Sequence, residues 1–162
     1  MKRTRFAARR SSGFTLVELL VVMAVLGVLA SMLLPLAELN QRRERERELK
    51  SALWQIREAI DAYQRAALAG QAVMSAGRSG YPPNLRALVE GVADARSGGR
   101  MLYFLRSVPR DPFADPALPA EATWALRSYA SPPEQPAPGE DVFDVASRSA
   151  LVGLNGVPLR SW

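Results

Sequence analysis

The sequence predicts an α+β fold. One long N-terminal helix, a membrane-spanning half followed by an amphipathic half, packs on a small antiparallel β-sheet of three or four short strands. Three observations predict it. An apolar run lies near the N-terminus, an apolar stripe at helical spacing continues it, and strand-like alternation with a hairpin signal is confined to the last quarter.

The apolar run comes first. From Leu19 to Leu36 there are 18 residues without a charge; Phe14 to Leu36 makes 23, interrupted only by Thr15, Glu18, Ser31 and Pro35. As a helix this spans a hydrocarbon core of about 30 Å at about 1.5 Å per residue. A secretory signal peptide would have a shorter apolar region, roughly 7–15 residues, ending in a small-x-small site. Pro35-Leu36-Ala37-Glu38 is a poor site of that kind. A buried helix of a soluble core would leave the preceding cations unexplained. Those are Lys2, Arg3, Arg5, Arg9 and Arg10, with no acid among them. By the positive-inside rule they keep the N-terminus cytoplasmic and put everything after Leu39 across the membrane. Pro35 lacks an N–H and is expected to kink or loosen the helix one turn back.

Beyond the run, N-Q-R-R-E-R-E-R-E-L-K-S is densely charged. Arg42 and Glu46, and Glu46 and Lys50, are four apart; Glu44 and Arg47, and Arg45 and Glu48, are three apart. Such pairs contribute a few tenths of a kcal/mol each, so the run reads as solvated helix surface, with contact to neighbouring copies as the sharper option. Leu49, Leu53, Ile56, Ile60, Tyr63 and Ala67 then follow at steps of 4, 3, 4, 3 and 4, one apolar stripe with Arg57, Glu58, Asp61 and Gln64 largely off it. The helical pattern thus runs from Phe14 to Ala69, roughly 84 Å at the helical rise, with Gly70 as its stop.

Gln71 to Gly80 reads as a loop. Asn84 is a good N-cap for a short helix over Leu85 to Glu90, with Gly91 behind it. Ser97-Gly98-Gly99 is a further loop, and Val108 to Phe113 is turn-rich. Trp124 and Leu126 alternate with Ala125 and Arg127, and Val142 and Phe143 open a second run, with P-P-E-Q-P-A-P-G between them. Ala150 to Leu154 and Val157 to Trp162 flank Asn155-Gly156, the strongest two-residue hairpin signal.

Composition excludes several functions. The net charge of +5 equals the five cations before residue 13, so the rest of the chain holds 16 basic and 16 acidic residues. No later segment gathers positive charge as a phosphate-binding face would, and no nucleic-acid partner is expected. With no cysteine and no histidine, disulfides, thiol catalysis, histidine-based triads and His or Cys zinc sites are ruled out. A Ser–Lys dyad would have to use Lys50, the only lysine after Lys2, in a stem where an exposed ion pair is the simpler role. A carboxylate pair such as Glu140 or Asp141 with Asp144 stays open, with nothing placing it in a cleft. A membrane-tethered enzyme or sensor is the remaining alternative of a different class.

The block G-F-T-L-V-E-L-L-V-V-M-A-V-L-G-V-L-A behind a short basic leader resembles the type IV pilin and type II secretion pseudopilin family. Gly13, Phe14, Glu18, the membrane-length run and Pro35 carry the resemblance. The order of long helix, Tyr81-Pro82-Pro83, Leu105 to Pro112 and a C-terminal strand pair is similar to the major pseudopilin layout. The resemblance implies a pilin-like fold divided as 1–13 leader, 14–37 transmembrane helix, 38–69 amphipathic continuation and 70–162 a small α+β periplasmic domain. It implies that a prepilin peptidase cuts between Gly13 and Phe14 and methylates the new Phe14 amine. Glu18 would pair with that amine, in the family usually of a neighbouring copy, within an inner-membrane-anchored helical filament. The implied partners are copies of itself, other pseudopilins or pilins, and an inner-membrane assembly platform.

Physical arguments meet those roles. A carboxylate at the middle of a membrane helix costs roughly 2.5–3.5 kcal/mol on insertion scales and marks function by default. Glu18 lies near the interface, where its cost before assembly is smaller; pairing with the new amine is the expected role, and a snorkelling side chain without a partner is the alternative. Gly27, Ala24, Ala30 and Ser31 would let helices approach closely, or simply face lipid. Major pseudopilins carry a C-terminal calcium loop with acidic ligands. Here the continuation is R-S-A-L-V-G-L-N-G, with Leu151 about where an essential Asp is expected and no acid after Asp144. Asp141 and Asp144 read as residues on a strand's exposed face, and no metal and no cofactor are expected. The function expected is a structural subunit of a type II secretion filament, acting by polymerisation and not catalysis. A minor type IV pilin for motility, adhesion or DNA uptake is the alternative.

Overall fold

A computed structural model describes residues 13–72 and 79–162, apart from the side chains of 32–35. The basic leader before Gly13, most of the loop after Gln71 and the Pro35 side chain lie outside the described residues. The chain divides between Gln41 and Arg42 into two units.

Helix α1, Leu16–Leu68, runs through both. In the first unit every described side chain is exposed. In the second, the predicted stripe is the core face: Leu49, Leu53, Ile56, Ile60 and Tyr63 are all buried, widened by Ala52 and Ala59. At the last turn the buried residue is Ala66 and not Ala67. The helix closes on Gly70, whose φ of 64° only glycine adopts cheaply. The Gln71 N–H donates to Ala66 O at 2.9 Å and the Gly70 N–H to Ala67 O at 3.0 Å, the paired bonds of a Schellman stop.

Against the stripe lie Tyr81, Leu85, Leu88, Trp124, Val142, Val145 and Leu159. Each large side chain so buried contributes about 1.5–3 kcal/mol, which makes this face the main stabilising feature of the unit. Trp124 is fully buried, its indole N–H donating to Pro109 O at 2.9 Å. Helix α2, Arg86–Glu90, is capped as expected, with Asn84 Oδ1 accepting from the Ala87 N–H at 2.9 Å.

Among the described residues there are four strands, in two two-stranded ladders. Strand β1 (Val92–Ala93) pairs antiparallel with β2 (Met101–Leu102). Strand β3 (Trp124–Arg127) pairs antiparallel with β4 (Asp144–Ser147), Trp124 opposite Ser147 and Arg127 opposite Asp144. Between the ladders, Pro109, Pro112, Pro116 and Pro119 remove backbone donors at short intervals, so no strand bridges them. The first ladder has two residues a side, too few for alternation to reveal.

The C-terminal hairpin is reduced to its turn. Gly156 takes φ 79°, and the Gly153 N–H donates to Val157 O at 2.8 Å. The expected strands condense to a single bridge, Val152 to Pro158. Pro158 has no N–H to extend a ladder, and the chain turns into a 3₁₀ helix, Leu159–Ser161, that buries Leu159.

Candidate functional site

At the start of the first unit, Gly13, Phe14 and Thr15 precede the helix. Thr15 Oγ1 accepts from the Glu18 N–H at 3.2 Å, so Thr15 caps the helix and Glu18 stands at the acidic end of a T-x-x-E capping pattern. The helix dipole favours an anion there. This local role is visible in four letters of sequence, which otherwise present Thr15 only as a polar interruption. The Glu18 carboxylate is exposed and makes no hydrogen bond or ion pair among the described residues. It is therefore available to a cation from outside the chain.

The apolar run beside it covers nothing within its unit. Phe14 is 80% exposed, and the large apolar residues from Leu16 to Leu29 are all exposed as well. A contiguous apolar surface of this kind requires lipid or other helices. The helix is long and apolar enough to cross a membrane by length and composition. A Cβ at Gly27 would meet nothing within 4 Å, so this glycine leaves room for an approaching neighbour. Ser31 Oγ donates to Val28 O at 2.7 Å and asks for no other partner.

In the second unit several charged residues have roles that residue spacing does not reveal. Arg57, off the apolar stripe, donates from Nε to Asp144 Oδ1 at 2.8 Å and from Nη2 to Val145 O at 3.0 Å and Trp162 O at 2.7 Å. It fastens α1 to β4 and to the C-terminal turn. Asp144 is thus an ion-pair partner and not a plain surface acid. Glu46, expected to be solvated, is buried; it accepts from the Leu154 N–H at 2.8 Å and keeps its Arg42 pair at 3.5 Å. Arg42 also donates to Val152 O, so two neighbouring turns of the stem clamp the segment after Leu151. The Glu44–Arg47 pair forms at 2.7 Å. Lys50 lies over the Trp162 ring, 4.6 Å from its centroid, in place of a pair with Glu46.

Asp141 is engaged by Ser79 Oγ, by Ser128 Oγ at 2.7 Å and by the Tyr129 N–H at 2.9 Å. Burial pushes this carboxyl up, but the three donors together hold it below the usual carboxylate range. Nearby, burial first, and then Tyr129, Asp61 and Asp141, push the Tyr81 phenol up. It accepts from Gln64 Nε2 at 3.0 Å. Among the described residues no three Asp or Glu side chains gather as metal ligands would.

Comparison with known proteins meets this geometry at both ends. The prokaryotic N-terminal methylation motif matches residues 8–34, the stretch holding Gly13, Phe14 and Glu18. Type II secretion system core protein G of Aeromonas hydrophila is 30% identical over 117 residues, covering 67% of this chain and 71% of that protein. No solved structure matches the chain significantly. A methylation motif opening an exposed apolar helix, with likeness to a secretion protein extending well beyond it, places the chain in the type IV pilin and type II secretion pseudopilin family.

Proposed function

We propose that the chain is a structural subunit of a helical filament in a type II secretion system, anchored in the bacterial inner membrane. Its N-terminus is cytoplasmic and the domain over 70–162 periplasmic. A prepilin peptidase removes residues 1–13 and methylates the Phe14 amine; residues 14–37 then hold the subunit in the membrane, and 38–69 continue the helix into the domain. The carrying observation is the pair of Phe14, exposed at the helix start, and Glu18, a carboxylate one turn away without a partner among the described residues. Cleavage creates a positive amine at Phe14. Once filament packing removes lipid and water, an unpaired carboxylate becomes costly, and the amine of a neighbouring copy relieves it. The charge then rewards correct register between copies, and Pro35 supplies a kink at the membrane exit.

The chemistry is polymerisation, with other pseudopilins and an assembly platform as partners, and involves no catalytic step. Intact mass of the chain produced with its prepilin peptidase tests the processing. The expected product lacks residues 1–13 and carries one added methyl. An uncut chain, or a cut near Ala37, would overturn the reading.

A further inference from the structure

The β3–β4 ladder has two faces. Along β4, Val145 and Ser147 are buried while Asp144 and Ala146 face outward. In register with them, Ala125 lies opposite Ala146 and Arg127 opposite Asp144. Alanine is depleted in strands and fills little of a pleated surface, so the Ala125–Ala146 pair makes a low floor. Pro133 and Pro136 of the loop before β4, with Arg148, Arg160 and Trp162, raise a rim around it, bounding a groove of about 450 Å³.

The groove is rich in donors. Arg57, Arg127, Arg148 and Arg160 line it together with one side-chain carboxylate, Asp144, which Arg57 already holds at 2.8 Å. Arg127, Arg148 and Arg160 have no ion-pair partner among the described residues. Independently, two N–H groups of the lining, Arg127 Nε and Trp162 Nε1, are buried without an acceptor. Buried donors of this kind are costly and are normally satisfied. The unpaired arginine charge asks for a chain segment bearing carboxylates.

Such a segment exists on this protein. Between Arg127 and Arg148 there is no lysine or arginine, and the charged residues are Glu134, Glu140, Asp141 and Asp144. The two aspartates are engaged within the domain, whereas Glu134 and Glu140 are exposed and have no partner among the described residues. The loop that carries them is held in shape. The Ser128 N–H donates to Ala137 O at 2.9 Å and the Gln135 N–H to Pro132 O at 3.2 Å. Gly139 sits so close to Ser128 that a Cβ would fall 2.7 Å from the serine Cβ. A proline-rich segment already ordered loses little entropy on docking.

Its glutamates do not turn back onto the arginines of their own groove. The loop lends Pro133 and Pro136 to the rim of its own groove but leaves Glu134 and Glu140 outside the lining, so the groove of one copy meeting the glutamates of another is a heterologous contact, which propagates as an open helix when the rotation does not close. We propose that the arginine-lined groove over Ala125 and Ala146 receives the Glu134–Glu140 loop of a second copy of this chain. The proposal rests on the filament-subunit reading above and supplies a contact outside the membrane segment.

The chain has no cysteine, so introduced thiols report cleanly. Full-length copies with two different tags, one carrying Gln135→Cys and the other Ser161→Cys, are produced together with prepilin peptidase and treated in membranes with a short bis-maleimide. Both substitutions leave every charge in place. A crosslink joining the two tags is expected. It should fall roughly tenfold when Arg148→Glu and Arg160→Glu set like charges against the loop, and recover when Glu134→Arg and Glu140→Arg are added on the partner copy. That recovery separates a lost contact from a lost fold. Co-purification of the tags without a 135–161 crosslink, or a crosslink indifferent to charge reversal, would overturn the groove assignment and leave the filament reading standing. Ser161→Cys joined only to a different protein would overturn it in favour of another partner. Copies that do not co-purify at all would remove both.

Discussion

Arg57 shows how much one side chain off the predicted stripe can hold. It serves three acceptors in β4 and the C-terminal turn, and its loss leaves Asp144 without its cation and two carbonyls without a donor. The side chain is 37% exposed, so solvent screens the ionic component. Arg57→Ala is expected to destabilise the second unit by about 1–2 kcal/mol, mainly through hydrogen bonds. Urea unfolding followed by tryptophan fluorescence should show the lower midpoint; an unchanged midpoint would mean that water replaces the guanidinium at no cost. Asp141 makes a pH-dependent contribution of defined sign. Its carboxyl is held low in the folded chain, so its stabilisation is present above the unfolded-state value of about 3.9 and is lost as pH falls through the lower folded value. Asp141→Asn should lower the thermal midpoint at pH 7, and that difference should shrink at pH 2. A difference of equal size at both pH values would exclude the charge as the cause.

At the scale of elements, the C-terminal segment is set by close approach. A Cβ at Gly153 would lie 2.4 Å from a Trp162 ring carbon and 2.7 Å from Asn155 Oδ1. The ring also carries Lys50 on its face. Gly153→Ala must therefore displace the indole, at about 1–3 kcal/mol as for other overpacked sites. Thermal unfolding checks the cost, and Trp162→Ala in the same background should recover part of it. The same segment explains a misread hairpin. Asn155-Gly156 predicted the turn correctly, but strand length depends on donors that Pro158 lacks and on the burial of Leu159 against the helix. Three or four short strands were expected, all from Trp124 onward; of these the Trp124–Arg127 and Asp144–Ser147 pair forms, while the other ladder lies before the prolines that separate Leu102 from Trp124.

On the proposed reading the whole molecule acts in the company of copies. Its first unit exposes an apolar helix whose first turn carries Glu18, unpartnered among the described residues, features that fit a membrane and then a filament. Glu18→Ala should stay membrane-inserted, with its second unit folded, and fail to enter filaments in a crosslinking assay. Normal incorporation would assign Glu18 to helix capping alone, a role that Thr15 makes concrete. The two effects differ in size: an exposed first-turn acid contributes about 0.3–1 kcal/mol, whereas leaving a buried charge unpaired costs about 3–5 kcal/mol.

Sequence alone determined the features that a single element expresses by itself. The helix from Leu16 to Leu68, its buried stripe, the Gly70 stop and the Asn84 cap all follow from spacing within a few residues, because helical periodicity and capping are local. The motif at Gly13, Phe14 and Glu18 is local in the same way. Only the tertiary structure decided which distant residues meet. Glu46 lies in a run whose spacing reads as solvated, yet it is buried by a backbone N–H 108 positions away. Arg57 finds Trp162 across 105 positions, and four arginines from four stretches converge on one alanine floor. Closing such loops depends on how the apolar faces stack, and that free energy belongs to the packed whole and to no one segment.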